Sequence, residues 1–476
     1  MVGPHPLLLN GASVPGEAGE IAVINPYSGA PVGVVSLASV EQAGQAVRGA
    51  LAAFRRYKSV PVWQRSLWLA KASDLIAERS EEFARIIAQE VAKPLRTARG
   101  EVSRAVTTFR IAAEEVYHLD GEVIPMDAAP GSEGRVGYYF RQPVGPVLAI
   151  TPFNFPLNLV AHKVAPALAA GNPFILRPTS AAPFTAYLLG EVLLAAGFPP
   201  EVVSILPSST AVAEYLVMHE DIPVVSFTGS VGVGKRIRAI AGLKRVTLEL
   251  GSNSPNIVAP SADLDAAAAA IVRGGFSHAG QSCVSAQRVY LHRRIESAFL
   301  ERFLPAVKAL KVGDPLEEET DVGPLIDVKA AERIEDWLNE ARQHGAKVLT
   351  GGSREGAFLW PTVLSDVRPE MKVVCEEVFA PLLSLIPYDD FDALIAEVNE
   401  SKYGLNAAIF TNDIGEAFKA IRELQVGAVI VNDSSAYRAD HMPYGGVKES
   451  GLGREGVRYA MEEMTEIKFA AFNLRG

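Results

Sequence analysis

The chain holds two cysteines, and one of them, Cys283, sits where a thiol could do chemistry. It lies in AGQSCVSAQRVYLH, between an alanine-rich stretch and a β-rich run, and Gly280, Ser282 and Ser285 keep the backbone accessible there. A thiolate in such a place adds to the carbonyl carbon of an aldehyde and gives a thiohemiacetal. A buried, inert thiol is the commoner fate of a cysteine, so Cys283 needs partners before it counts as a nucleophile. Glu249 closes the run VTLEL ahead of Gly251. A carboxylate at the C-terminal end of a parallel strand stands where such sheets place ligand chemistry, and burial there raises its pKa toward that of a general base; a salt-bridged strand-end glutamate is the plainer reading. Asn154 stands between two aromatics in TPFNFPLNL. A rigidly held amide can donate to a developing oxyanion, although an asparagine two residues before a proline is also an ordinary turn residue. Finally, FTGSVGVGK (227–235) runs from an apolar stretch through Gly229, Ser230, Gly232 and Gly234 toward a helix. Such glycines let a backbone approach a pyrophosphate at a helix N-terminus, but the spacing is G-x-x-G-x-G and not the dinucleotide fingerprint.

These groups must be held by surrounding elements. The first third reads as helical: VEQAGQAVRGALAAFRRY (40–57) has apolar residues at three- and four-residue steps. Ser80, followed by Glu81 and Glu82, looks like an N-cap with an acidic first turn, and Pro94 follows the helix that it starts. MDAAPGSEGR (126–135) interrupts as an arm or linker. From 144 onward the short runs PVLAIT, PFILRP, VVSIL, IPVVSFTG and RVTLEL alternate with segments long enough for crossover helices. That pattern predicts βαβ units and a parallel sheet covered on both faces. It restarts after SNSP (252–255) with NIVAP, a long alanine-rich helix over 263–279, QRVYLH and another helix over 295–310, which predicts a second α/β domain. FAAFNLRG at the C-terminus reads as a final strand that could pair with another subunit.

PFNFP, ILRPTS, FTGSVGVG, LELGSNSPNIV, GQSCVS, EEVFAP and MPYGGVKESGLGREG stand in this order along nearly the whole chain, and Glu249 and Cys283 lie 34 residues apart. Together they resemble the aldehyde dehydrogenase superfamily, with wording closest to its lactaldehyde dehydrogenase-like branch of archaea and bacteria. The resemblance implies a thiohemiacetal on Cys283, its oxidation to a thioester with NAD or NADP as hydride acceptor, and hydrolysis by a water that Glu249 activates. It implies that Asn154 and the Cys283 backbone N–H form the oxyanion hole. It further implies that Ile150, Thr151, Phe153, Arg177, Ser180, Gly229, Ser230, Glu377 and Phe379 hold the cofactor, and that Lys448 has a structural role. The family usually has lysine at the position of Arg177, and NAD-preferring members often have glutamate at the position of Ser180. Arg with Ser removes a carboxylate that would repel a 2′-phosphate, so NADP is expected to be accepted and is a candidate for preference. Ala380 replaces a common glycine in EEVFAP, with little expected consequence.

The branch favours a small hydroxylated or anionic aldehyde such as lactaldehyde or a semialdehyde. The loop NDSSAYRADHMPYGG borders the substrate mouth in this fold, so Arg438 or His441, together with Ser285, is expected to meet the substrate, Arg438 with the bidentate geometry suited to a carboxylate, phosphate or sulfonate. The implied fold is α/β: a Rossmann-type cofactor domain over 1–125 and 146–250, an α/β catalytic domain over 251–435, and a β oligomerisation arm from 126–145 and 460–476, assembling as a homodimer or homotetramer.

Composition limits the alternatives. A net charge of -10 gives no support for nucleic-acid binding, and no apolar stretch reaches the roughly 20 residues that span a bilayer. The N-terminus has no basic segment ahead of an apolar run, so neither a signal peptide nor an anchor is expected. Two thiols in so long a chain suggest a reducing compartment, the cytosol by default, and Cys375 reads as structural. No CxxC pair or His/Cys cluster has zinc spacing, so no metal is expected. Two rivals stand beside the hydrolytic dehydrogenase. A CoA-acylating semialdehyde dehydrogenase commonly lacks the glutamate matched by Glu249, and a non-catalytic relative would have no need to keep Cys283, Glu249 and Asn154 together.

Overall fold

A computed structural model describes residues 3–474. Its centre is two parallel sheets. The first runs edge to edge through Ala12–Val14, Leu7–Leu9, Val203–Ile205, Phe174–Arg177, Val147–Ile150, Val224–Thr228, Arg245–Glu249 and Gly451–Leu452. Its five inner strands are parallel. Every residue of Val147–Ile150 and Val224–Thr228 is buried. Helices cover both faces, which is why these strands are continuously apolar and do not alternate. The second sheet runs through Lys347–Thr350, Thr362–Ser365, Leu382–Tyr388, Arg288–His292, Pro255–Val258, Asn406–Phe410 and Ala428–Val431, parallel apart from its first pair. The architecture is α/β, two sheets each covered by helices, as expected.

The helix expected over 40–57 forms as Val40–Tyr57, started by a capping box in which Ser39 accepts from Gln42 N–H and the Gln42 side chain accepts from Ser39 N–H. Ser80 is not a cap. It is the first residue of the helix Ser80–Val91, and Arg79 occupies the cap without a side-chain bond, because that residue also ends the preceding helix. The opening of the chain is not helical either. Four strands lie within the first 36 residues. Leu7–Leu9 pairs with Ala12–Val14 across a turn at Asn10 and Gly11, and its place in the large sheet comes from Val203–Ile205, nearly two hundred residues away.

The segment after 120 forms a third, antiparallel sheet. Arg135–Pro143 pairs along its whole length with Thr465–Asn473 and on its other side with Glu122–Ile124. The final strand is therefore paired within its own chain; Arg475 and Gly476 of that segment lie outside the described residues. Residues 436–459, which fell in none of the three expected units, return Gly451–Leu452 to the first sheet beside Arg245–Glu249. Among the described residues no helix is long and apolar enough to cross a membrane, and no cluster of His, Cys, Asp and Glu could hold a metal ion.

Candidate active site

The helix Leu264–Phe276 ends in a tight turn, Ser277–Gly280, where His278 and Ala279 take positive φ of 50° and 54° and Gly280 of 67°. Gly280 admits no side chain, since a Cβ there would lie 2.2 Å from the Ala380 carbonyl oxygen. The turn delivers Cys283 to the wall between two clefts, one of about 340 Å³ and one of about 380 Å³, and Cys283 lines both.

Part of Cys283 is accessible, yet its sulfur is densely surrounded, and burial pushes the thiol up to about 11, with the Tyr444 hydroxyl, 3.1 Å away, opposing. A resting thiol needs a base. Glu249 ends its strand at the C-terminal edge of the first sheet and lines the larger cleft with Cys283. It is buried, and neither carboxylate oxygen has a hydrogen-bond partner. Burial and the neighbouring Glu455 carboxylate raise its pKa well above the ordinary value. A buried carboxylate left without donors is what a group poised to take a proton requires. Asn154 is buried at the same cleft, its Nδ2 donating to the Gln281 carbonyl at 3.0 Å, which fixes the amide and leaves a second N–H. The Cys283 main-chain N–H bonds no backbone carbonyl. The three residues expected to do the chemistry are thus brought together.

The larger cleft also collects Phe153, Gly229, Ser230, Glu377 and Phe379. Gly229 N–H donates to the Glu249 carbonyl at 3.0 Å, and Ser230 immediately precedes the helix Val231–Ile240, so the glycine-rich turn opens a helix N-terminus onto the cleft. Glu377 accepts from Ser252 N–H at 3.0 Å, and burial pushes it up to about 7 against that bond and Arg333. Gly251 makes room for it: a Cβ there would lie 2.5 Å from Glu377 Oε2. Phe153 and Phe379 meet edge to face, centroids 6.0 Å apart. Ile150 and Thr151 are buried and do not line the cleft. Arg177 and Ser180 stand outside it. Arg177 donates from Nη2 to the Ser208 carbonyl at 3.0 Å, whereas its Nε, the Ser208 hydroxyl and the Thr228 hydroxyl are buried without partners; Ser180 is exposed. Orphaned polar groups near a helix N-terminus, with Gly229 and Gly234 too closely approached for a Cβ, fit a dinucleotide.

The smaller cleft has a basic lining: Arg104, Arg273 and Arg438 against the single carboxylate Asp433. Arg104 is held by Asp440 at 2.8 Å, and Asp440 also accepts from Asn158 and from His162 Nε2. Arg438, buried, pairs with Glu455 at 3.1 Å and stacks on Tyr444, and its Nε has no partner. His441 is exposed and outside this lining. The Ser285 hydroxyl also lies outside it, donating to the Gly274 and Gly275 carbonyls at 3.3 Å. Sequence reasoning passed over Arg104, Arg273 and Tyr444. The first two look like solvated helix charges, and Tyr444 sat unremarked in MPYGG. Lys448 Nζ donates to the Asn399 and Ser401 carbonyls, a structural role as expected. Cys375 lines neither cleft.

The profile of the aldehyde dehydrogenase family matches residues 14–470. The 3-sulfolactaldehyde dehydrogenase of Priestia megaterium is 47% identical over 458 residues, covering 96% of each chain. The lactaldehyde dehydrogenase of Methanocaldococcus jannaschii is 42% identical over 455 residues, 94% of this chain and 96% of that one. Among solved structures, a glyceraldehyde-3-phosphate dehydrogenase of Methanocaldococcus jannaschii in complex with NADP superposes with a TM-score of 0.92 at 42% identity, covering 95% of this chain and 99% of that one. With its catalytic-type motifs in order and its fold matched end to end, the chain belongs to the aldehyde dehydrogenase family.

Proposed function

We propose that this chain oxidises a small anionic or hydroxylated aldehyde to its carboxylic acid, with NAD or NADP, through a thioester on Cys283. The observation that carries the substrate class is the smaller cleft, where Arg104, Arg273 and Arg438 line the wall beside the nucleophile, each held by its own carboxylate, and Arg438 keeps a buried Nε without a partner. The named substrates of the three relatives are 3-sulfolactaldehyde, lactaldehyde and glyceraldehyde-3-phosphate, which supports the same class. Arg438 and Arg104 would orient the anionic end and leave the aldehyde carbon at Cys283. Asn154 and the Cys283 N–H would donate to the oxyanion, and Glu249 would take the proton of the thiol or of the deacylating water.

The cofactor supplies the hydride acceptor when bound. Glu377 and Phe379 would hold its ribose and ring, Ser230 its pyrophosphate, and the free Nε of Arg177 a 2′-phosphate, which favours NADP. Glu249 in place favours water over CoA as acyl acceptor. The exposed Val136, Tyr138, Phe140, Ile467 and Phe469 on the arm sheet support assembly as a homodimer or homotetramer, and two unpaired thiols support a reducing, cytosolic setting.

The test is a panel of lactaldehyde, succinic semialdehyde and phosphorylated and sulfonated three-carbon aldehydes against propionaldehyde, with each cofactor, without CoA. Higher kcat/KM on anionic members, free acid as product and no NAD(P)H from Cys283→Ala are expected. Equal turnover of propionaldehyde, or a requirement for CoA, overturns the reading.

A further inference from the structure

The reaction just outlined leaves one contact at the nucleophile unused. Among the described residues, the side-chain group within hydrogen-bond reach of Cys283 Sγ is not Glu249 but the Tyr444 hydroxyl, at 3.1 Å. Tyr444 is buried and is held from two directions by one residue. Its backbone exchanges hydrogen bonds with Glu455, Tyr444 N–H to the Glu455 carbonyl at 2.9 Å and the reverse at 2.6 Å. Its ring face is covered by the Arg438 guanidinium, 3.6 Å from the centroid, and Arg438 is ion-paired with the Glu455 carboxylate at 3.1 Å. Glu455 is anchored in turn by Lys163 Nζ at 2.5 Å, which also donates to the Ser226 hydroxyl on the first sheet. A chain of buried groups therefore leads from the cofactor-side sheet to the nucleophile and ends in a hydroxyl 3.1 Å from the sulfur.

We propose that Tyr444 is a positioning residue for Cys283: its hydroxyl donates to the sulfur, fixes the Sγ rotamer between the two clefts and favours the thiolate over the thiol. Three physical points support this. A thiolate accepts a hydrogen bond more strongly than a thiol, so one fixed donor acts mainly on the charged form. The ring carries a cation on its face, which draws electron density and strengthens the O–H as a donor. Burial and the adjacent sulfur also raise the phenol above its ordinary pKa, so the tyrosine keeps its proton and stays a donor at every working pH. No group is transferred; Tyr444 retains its own hydrogen throughout. The assignment rests on Cys283 being the nucleophile, but it concerns the resting enzyme and needs neither substrate nor cofactor.

The experiment is the pH–rate profile of Cys283 alkylation by iodoacetamide, followed by mass spectrometry in a Cys375→Ser background, so that one thiol reports. Tyr444→Phe keeps the ring beneath Arg438 and removes only the donor. Losing one hydrogen bond to an ion moves the profile up by about one to two pH units, and because the more basic thiolate is the better nucleophile, alkylation below the midpoint is expected to slow by about three- to tenfold. Site-specific replacement of Tyr444 by 3,5-difluorotyrosine, a stronger donor of nearly the same shape, is expected to move the profile the other way. A Tyr444→Phe profile superposed on that of the parent overturns the proposal. Should that variant not fold, a difluorotyrosine profile that is unmoved or shifted upward overturns it equally. A protein that fails the aldehyde panel but shows both shifts refutes the proposed activity and leaves the role of Tyr444 standing.

Discussion

Glu377 lets the link between site and stability be measured before any substrate is known. Glu377 is half-buried and lines the larger cleft, and its pKa rises from 4.5 to about 7 because desolvation outweighs the Ser252 N–H bond and the Arg333 charge. Between those values the folded chain holds a proton that the unfolded chain has released. Folding stability therefore falls as pH rises through this window, and the full penalty is present above about 7. At 1.36 kcal/mol per unit the penalty is about 3 kcal/mol, an upper bound because one side of the group faces the cleft. Glu377→Gln keeps an acceptor for Ser252 N–H and cannot ionise. Measured by thermal unfolding of the cofactor-free protein, Tm of the variant relative to the parent should climb by a few degrees between pH 5 and pH 8.5. The same substitution should raise KM for the cofactor, since an amide replaces a carboxylate at the place proposed for the ribose. Parallel Tm curves for the two proteins across that range would refute the electrostatic account of this site.

Four further outcomes follow from the geometry. Glu249→Gln should leave a burst of about one NAD(P)H per active site while steady-state turnover drops by roughly 10²- to 10⁴-fold, as expected when a general base is lost from deacylation; loss of the burst as well would place Glu249 at acylation instead. Gly251→Ala drives a Cβ to within 2.5 Å of Glu377 Oε2, so kcat/KM for the cofactor should fall by up to about a hundredfold, read from steady-state kinetics with the aldehyde saturating. Arg104→Ala should raise KM for anionic aldehydes by about ten- to a hundredfold and leave that for propionaldehyde nearly unmoved, the difference one charge-assisted contact makes. Ser180→Glu should cut kcat/KM for NADP about tenfold or more relative to NAD, because a carboxylate meets the 2′-phosphate; an unchanged ratio would remove Ser180 from the cofactor site.

Legibility in the sequence followed distance along the chain. The five inner strands of the first sheet, and Pro255–Val258 and Arg288–His292 of the second, were readable because each is an apolar run buried on both faces; Thr362–Ser365, Leu382–Tyr388 and Asn406–Phe410 were not singled out. Gly451–Leu452 was not readable, because it is made a strand by a partner roughly two hundred residues away, and Leu7–Leu9 was passed over although it pairs locally with Ala12–Val14. The site divides in the same way. Cys283, Glu249 and Asn154 stood out through residue type and motif, and what the sequence could not supply was their environment. Cys283 is a thiol between two clefts only because three successive positive φ values turn the chain there. Glu249 is a strong candidate base only because nothing donates to it, and an unmade bond leaves no trace in a sequence. His441 and Arg438, three residues apart in one loop, were both candidate anion binders, with Arg438 offering the bidentate geometry. The fold buries Arg438 against Glu455 and Tyr444 at the cleft and turns His441 to the surface, a choice made by Glu455 from seventeen residues further on. Glu455 in turn is held ionised against its own burial by Lys163 and Arg438, at about 2. Its charge opposes ionisation of Glu249, while Arg438 opposes that effect. The base and the substrate-side arginine are therefore set by one buried carboxylate that itself lines neither cleft. Roles of this kind belong to a network, and the sequence names its members without indicating that they meet.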